Sequence, residues 1–136
     1  MTVRGAVGLA LASAVVHSGC SGLLTIDRGG EIRVLVEGDA PTPLLVVTSD
    51  DFLVGASTPG PEGGVLFVQA DSTLGPPPFE RTYDLAPTFV FAVRVSIPSG
   101  EQGNVRLRVF LDGAGVWDEE SLMEADNLIQ FYTVRR

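Results

Sequence analysis

Covalent chemistry in this 136-residue chain would have to come from very few side chains: one histidine (His17), one cysteine (Cys20), no lysine, nine arginines and seventeen carboxylates. A Ser/His/Asp triad, a Cys/His pair or a His-rich zinc site needs a histidine in the folded domain, and a Schiff base needs a lysine. His17 and Cys20 both fall within the first twenty residues, so the rest of the chain offers carboxylates. Two of these about 5–9.5 Å apart in a cleft would make an acid-only hydrolase. The densest early pair, Asp50-Asp51, ends a strand pattern, where acids ordinarily just face water. Ca²⁺ is the other use, because it takes oxygen ligands from carboxylates and loop carbonyls. The richest segment, Asp112, Asp118, Glu119, Glu120, Glu124 and Asp126, lacks the alternating spacing of an EF-hand loop, and a solvated acidic loop is the favoured reading. No phosphate-binding Gly-rich loop is present, and Gly113-Ala114-Gly115 lies in an expected hairpin, where glycine serves turn geometry. The expectation is a non-catalytic chain with no cofactor and no resident metal.

Recognition would then fall to aromatic and charged side chains. Trp117, with Asp118 and Glu120 beside it, is the candidate binding tip for a partner, a sugar or Ca²⁺, although a lone Trp in a small β domain is more often core. Phe131 and Tyr132 fall on opposite faces of the last strand, one expected in the core and one at the surface. Arg94, Arg106 and Arg108 would suit carboxylate recognition, but the plainer reading is cross-strand pairing with Glu and Asp on one solvated sheet face. A formal net charge of -8 argues against nucleic acid, whose phosphates need clustered cations.

The N-terminus reads as an address. A short positive segment ends at Arg4, about twelve small and apolar residues run from Gly5 to Val16, and His17-Ser18-Gly19-Cys20 follows. A membrane-spanning helix needs roughly 20 apolar residues, more than this run supplies. The segment resembles the lipobox of bacterial lipoproteins, with Ser18 and Gly19 before Cys20 and His17 where that family usually has Leu. The resemblance implies residues 1–19 as signal peptide, a diacylglycerol on Cys20, a tether over 20–30, and, from Ser21, sorting toward the outer membrane. Ala12-Ser13-Ala14 offers a rival cleavage site, but it leaves an apolar region shorter than the usual ~7–15 residues.

From residue 31 onward the dominant period is two, the mark of half-buried strands. Phe89, Phe91, Val93, Val95 and Ile97 point one way, with Val90, Ala92, Arg94 and Ser96 opposite. Val105, Leu107, Val109 and Leu111 face inward, with Arg106 and Arg108 outward. Ile32, Val34 and Val36 repeat the device. The LLVVTS run from Leu44 and the VLFVQA run from Val65 are apolar on both faces, which suits central or covered strands. Phe79–Leu85 and Leu128–Val134 complete the set. Asp112-Gly113 should turn a hairpin into Val116 and Trp117; over 118–127 a strand to about Met123 and a turn at 124–127 is favoured, while Asp118 as N-cap, first-turn acids and helix formers offer a short helical turn as the alternative. Seven or eight short strands separated by Gly- and Pro-rich punctuation predict an all-β domain over 31–136. The expected form is an antiparallel, immunoglobulin-like sandwich with Greek-key connections, with a small closed barrel as the second choice.

The order IRVLVEGD, a two-faced apolar strand, FVFAVRVSI and VRLRVFLDG with a return strand resembles the small sandwich domains of exported bacterial lipoproteins. It is also similar to the accessory proteins of mycobacterial lipid exporters. Together these features lead to an expected function. The chain should be a non-catalytic protein of the bacterial cell envelope, anchored to the membrane through Cys20, that binds or scaffolds an envelope protein or glycan. The alternative is a carbohydrate- or Ca²⁺-binding β-sandwich module.

Overall fold

The computed structural model of the protein describes residues 29–55, 64–98, 100–125 and 127–135. The expected signal peptide, Cys20, most of the tether and Asp126 lie outside the described residues. All regular structure among the described residues is strand: β1 Gly30–Gly38, β2 Leu44–Val54, β3 Val65–Gly75, β4 Phe79–Leu85, β5 Phe89–Ser96, β6 Gly103–Leu111, β7 Ala114–Met123 and β8 Leu128–Arg135. They form two antiparallel four-stranded sheets, β4-β1-β6-β7 and β3-β2-β5-β8. The domain is an all-β sandwich, as its alternating pattern requires.

Its core is built from the inward residues of the two central strands of each sheet. Ile32, Val34 and Val36 on β1 and Val105, Leu107 and Val109 on β6 meet Leu44 and Val46 on β2 and Phe91, Val93 and Val95 on β5, all buried. Every second residue faces in because the pleat alternates side chains, and the β-branched majority packs well on such a surface. Ile97, Met123 and Ile129 close the end of the core opposite the start of β1.

Tight turns hold the register. β6 and β7 are joined by Asp112-Gly113 alone, with Leu111 opposite Ala114 and φ of 51° and 83° at the two turn residues, the left-handed pair that a two-residue hairpin demands. Asp112 also ties down the start of β1. Its carboxylate accepts a 2.8 Å bond from the Glu31 N–H while its own N–H donates to the Glu31 carbonyl at 2.8 Å. At the far end Gly38 has φ 152°, and a Cβ there would lie 2.0 Å from the Asn104 carbonyl oxygen, so only glycine fits.

Finer details differ from the sequence reading or add to it. In an immunoglobulin-like order the first two strands are neighbours in one sheet, whereas here β1 and β2 lie in opposite sheets. Only β2–β3 and β6–β7 are hairpins within a sheet. Of the two settings that suit the apolar run from Val65, a central strand or a covered one, β3 is not central but an edge strand, covered at Val65. Lastly, Ala92, on the outward row of β5, is 0% exposed, because something covers it.

The cover is the β2–β3 hairpin. β2 carries a bulge at Ser49–Asp50, and the pairing slips again between Asp51 and Phe52. Bulges bend a strand and increase its twist. The buried Ser49 hydroxyl fixes the first: it accepts the Asp51 N–H at 3.1 Å and lies within donating reach of the Asp51 and Gln69 carbonyls. Beyond it the hairpin folds across the outer face of its own sheet. Phe52 and Val65 bury with Ala92, and Phe67 and Val90 pack against them.

Candidate functional site

Where the hairpin leaves the sandwich it opens a groove of about 1150 Å³ at the end of the domain where β1 begins. The bulge of β2, the end of β4, the first residues of β5 and the end of β8 line it. Its floor is aromatic and hydroxylic. The Tyr83 hydroxyl donates to Thr48 Oγ1 at 3.3 Å, and the Tyr83 ring lies against Phe91 with centroids 5.2 Å apart. Asp50, Asp71 and Asp84 border it, as do the arm residues Leu53 and Val54. Such a lining offers hydrogen-bond acceptors beside an aromatic surface, the mixture that a concave recognition site uses to orient a ligand.

The bend of the hairpin also presents an apolar exterior. Leu53 and Leu66 are directly opposed across the two strands. They are 57% and 52% exposed, with Val54 at 52% and Val68 at 54%. On the inward-turned side Arg94 locks the arm in place: its guanidinium stacks 4.3 Å from the Phe67 ring centre, and it donates to the Val65 carbonyl at 3.1 Å and to Gln130 at 3.0 Å. Tyr132 meets Phe52 edge-on at 6.0 Å.

The residues singled out from sequence lie elsewhere. Trp117 is at the open side of the sandwich where β7 faces β8, 39% exposed, with its ring 5.6 Å from that of Phe131. It is therefore neither a core residue nor a protruding anchor. The reason is topological: β7 is an edge strand, so its inward side chains lie at the margin of the core. Asp118 is engaged by Arg106, which donates to both carboxylate oxygens, Nε to Oδ1 at 2.7 Å and Nη2 to Oδ2 at 2.6 Å. That hydrogen bonding, opposed by some desolvation and aided by the charges of Arg106 and Arg108, holds the Asp118 carboxyl below its ordinary range. The same bond, the Asp118 charge and, more weakly, Glu120 raise the Arg106 guanidinium. Glu120 sits opposite Arg106 in the register.

The acidic segment is thus dispersed, not gathered. Asp112 holds Glu31, Asp118 holds Arg106, and Glu124 accepts from Gln102. Among the described residues no three His, Cys, Asp or Glu side chains converge to hold a metal ion. The arginines divide as well. Arg106 and Arg108 pair with Asp118 and Glu37 on one sheet face, while Arg94 lies on the other sheet with the arm, which corrects the expectation of a single ladder.

The groove was not read from sequence. A signal for it exists: two-faced apolar runs, FLV and VLFV, flank one Gly- and Pro-rich turn just after Ser49-Asp50-Asp51. An arm that leaves its sheet would give that pattern. The chain matches no known family model, and no curated protein matches it.

Proposed function

We propose that this protein is a lipid-anchored, non-catalytic β-sandwich of the bacterial cell envelope that binds another envelope component, a protein or a glycan, in the groove beside the β2–β3 arm. The observation that carries the reading is the groove itself: a concave, aromatic-floored and acid-bordered surface at the end of the domain from which the tether would leave. In a chain cleaved before Cys20 no histidine, lysine or unmodified thiol is left to act as base or nucleophile, which favours binding over turnover. One lipid chain holds a protein to a bilayer only marginally, so the several acyl chains of a processed lipoprotein supply the anchor.

Two measurements test it. Cys20→Ser should abolish incorporation of a fatty-acid label and leave precursor or soluble chain; a mature N-terminus at Val15, or any form with Cys20 unmodified, overturns the anchor. A photo-crosslinking residue at the exposed position 88 on the groove rim should give discrete adducts in intact cells, whereas one at the exposed position 82 on the opposite sheet should not. Equal or absent adducts at the two positions overturn the groove as the binding surface.

A further inference from the structure

The aliphatic exterior of the β2–β3 arm reaches beyond the rim of the groove, where Leu66 and Val68 are 52% and 54% exposed, and its position in the fold bears on what covers it. We infer that Leu53, Leu66 and Val68, on the side of the arm turned away from Ala92, form a second membrane contact, laid on the surface of the bilayer that holds the chain's lipid. The inference rests on the reading of Cys20 as the lipidated residue.

Three observations carry it. The first is position. Gly30 opens β1 opposite Leu85, and the backbone of Gly29 lies so close to the Leu85 carbonyl that a Cβ would stand 2.2 Å from it. Leu85 lines the same groove as Leu53 and Val54, so the chain enters the domain at the end where the arm projects. The second is reach. From Cys20 to Gly30 a fully extended chain spans at most about 33–36 Å, close to the ~30 Å length of a nine-residue strand. The domain is therefore kept within about its own length of the bilayer, and the end tethered to it is the one that carries the arm. A weak apolar contact becomes effective under such a tether because the second binding event is intramolecular.

The third is chemistry. The exposed side chains of the arm are aliphatic, and β2 and β3 carry no basic residue. Protein hot spots favour Trp, Tyr and Arg and are poor in Leu and Val, whereas a lipid surface asks only for apolar area. With Asp50, Asp51 and Asp71 on the two strands and Glu62 in the sequence between them, attraction to anionic lipid contributes nothing, and the contact is set by apolar burial. It is also shallow. β3 is an edge strand, and its outer N–H and C=O groups would be unsatisfied in hydrocarbon. The arm therefore stops at the boundary of headgroups and acyl chains.

The test uses the full chain, expressed with its signal, purified and reconstituted into phosphatidylcholine vesicles that carry nitroxide-labelled lipid. An environment-sensitive fluorescent residue is introduced at position 53 or 66, or at the exposed position 104 at the opposite end of the domain. Quenching should be strong at 53 and 66, greatest for nitroxides about 5–10 Å deep, and at background at 104. It should not increase when phosphatidylglycerol is added. The mass of the same protein reports the lipid independently. A lipidated chain with equal background quenching at 53, 66 and 104 overturns the bilayer contact and leaves the anchor standing. An unlipidated chain quenched at 53 and 66 by added vesicles overturns the anchor and leaves the arm standing. Fluorescence that is unquenched in vesicles yet shifted to the blue in intact cells assigns the arm to a protein partner and overturns the lipid surface.

Discussion

The outer faces of the two sheets begin from the same alternating pattern and end in opposite states. On the β4-β1-β6-β7 sheet most outward positions are charged, and several pair across strands: Arg33 with Glu80 at 3.2 Å, Arg106 with Asp118 at 2.6 Å, and Arg108 with Glu37. That face is half exposed and faces water. On the β3-β2-β5-β8 sheet the outward positions of β5 are Val90, Ala92 and Arg94, and the arm covers them with Phe52, Val65 and Phe67. One face is held by screened charge and the other by a second, smaller core. The residue type at outward positions decides which, because a cross-strand ion pair needs no cover while a row of small and apolar side chains gains by acquiring one.

The interior sets the scale against which both faces are measured. Phe91 is buried between the sheets, and Phe91→Ala should cost about 3–5 kcal/mol through lost burial and a residual cavity. Urea melts that gave less than the outward substitutions below would mean that the strand faces are inverted.

The comparison is sharpest in two outward phenylalanines. Phe52→Ala removes the centre of the covered cluster and should cost about 3 kcal/mol, near the low end for a buried Phe because one flank is open. Phe110→Ala on the charged face removes a ring that carries the Arg33 guanidinium at 4.3 Å, and should cost about 1 kcal/mol. Equal losses in urea would break the distinction between the faces. A Phe52→Ala loss within experimental error would mean that the arm does not hold its place over Ala92.

Trp117 tests the side of the sandwich that neither face governs. It is the single Trp, so its emission reports that one place. Trp117→Ala should cost about 1–2 kcal/mol, since Phe131 loses a ring partner but no sealed cavity forms. The native emission should lie between that of a buried and a wet indole. Ca²⁺ at millimolar concentration should leave the melting temperature unchanged, because Asp118 is already taken by Arg106. A melting temperature that climbed with Ca²⁺ and fell back on substituting Asp118 and Glu120 would restore the ion-dependent reading by mass action.

These contrasts mark what local pattern can carry. The inward rows of β1, β5 and β6, the Asp112-Gly113 turn and the end of β7 at Met123 were legible because each is fixed by residues within ten positions of one another. Sheet order was not. Whether β1 and β2 share a sheet depends on connections whose lengths permit either answer, and an edge position for β3 leaves no trace in an apolar run that reads equally well as covered. The cover over Ala92 was not legible for the same reason: alternation says which way a side chain points, not whether something lies over it. Trp117 differs because an edge strand's inward face is sealed at some positions, as at Met123, and open at others, as at Trp117. The groove exists because of two register slips within five residues of β2, and a slip is a property of a pair of strands that neither sequence states alone.

The smallest expected effect separates the faces by pH and salt. Asp118 titrates below its ordinary range in the folded protein, so the stability it contributes is fully present above the unfolded value of about 3.9 and is lost as pH falls through the lower folded value. The difference in urea midpoint between the native chain and Asp118→Asn should therefore be small and flat from about pH 5 to 8, and should shrink below about pH 4. Both partners are about half exposed, so salt near 1 M should shrink it as well. The loss on Phe52→Ala should respond to neither variable, since apolar burial carries no titrating charge. An Asp118→Asn difference that persisted at about pH 3 in high salt would mean that this face, too, is held by packing, and the contrast between the sheets would reduce to one of degree.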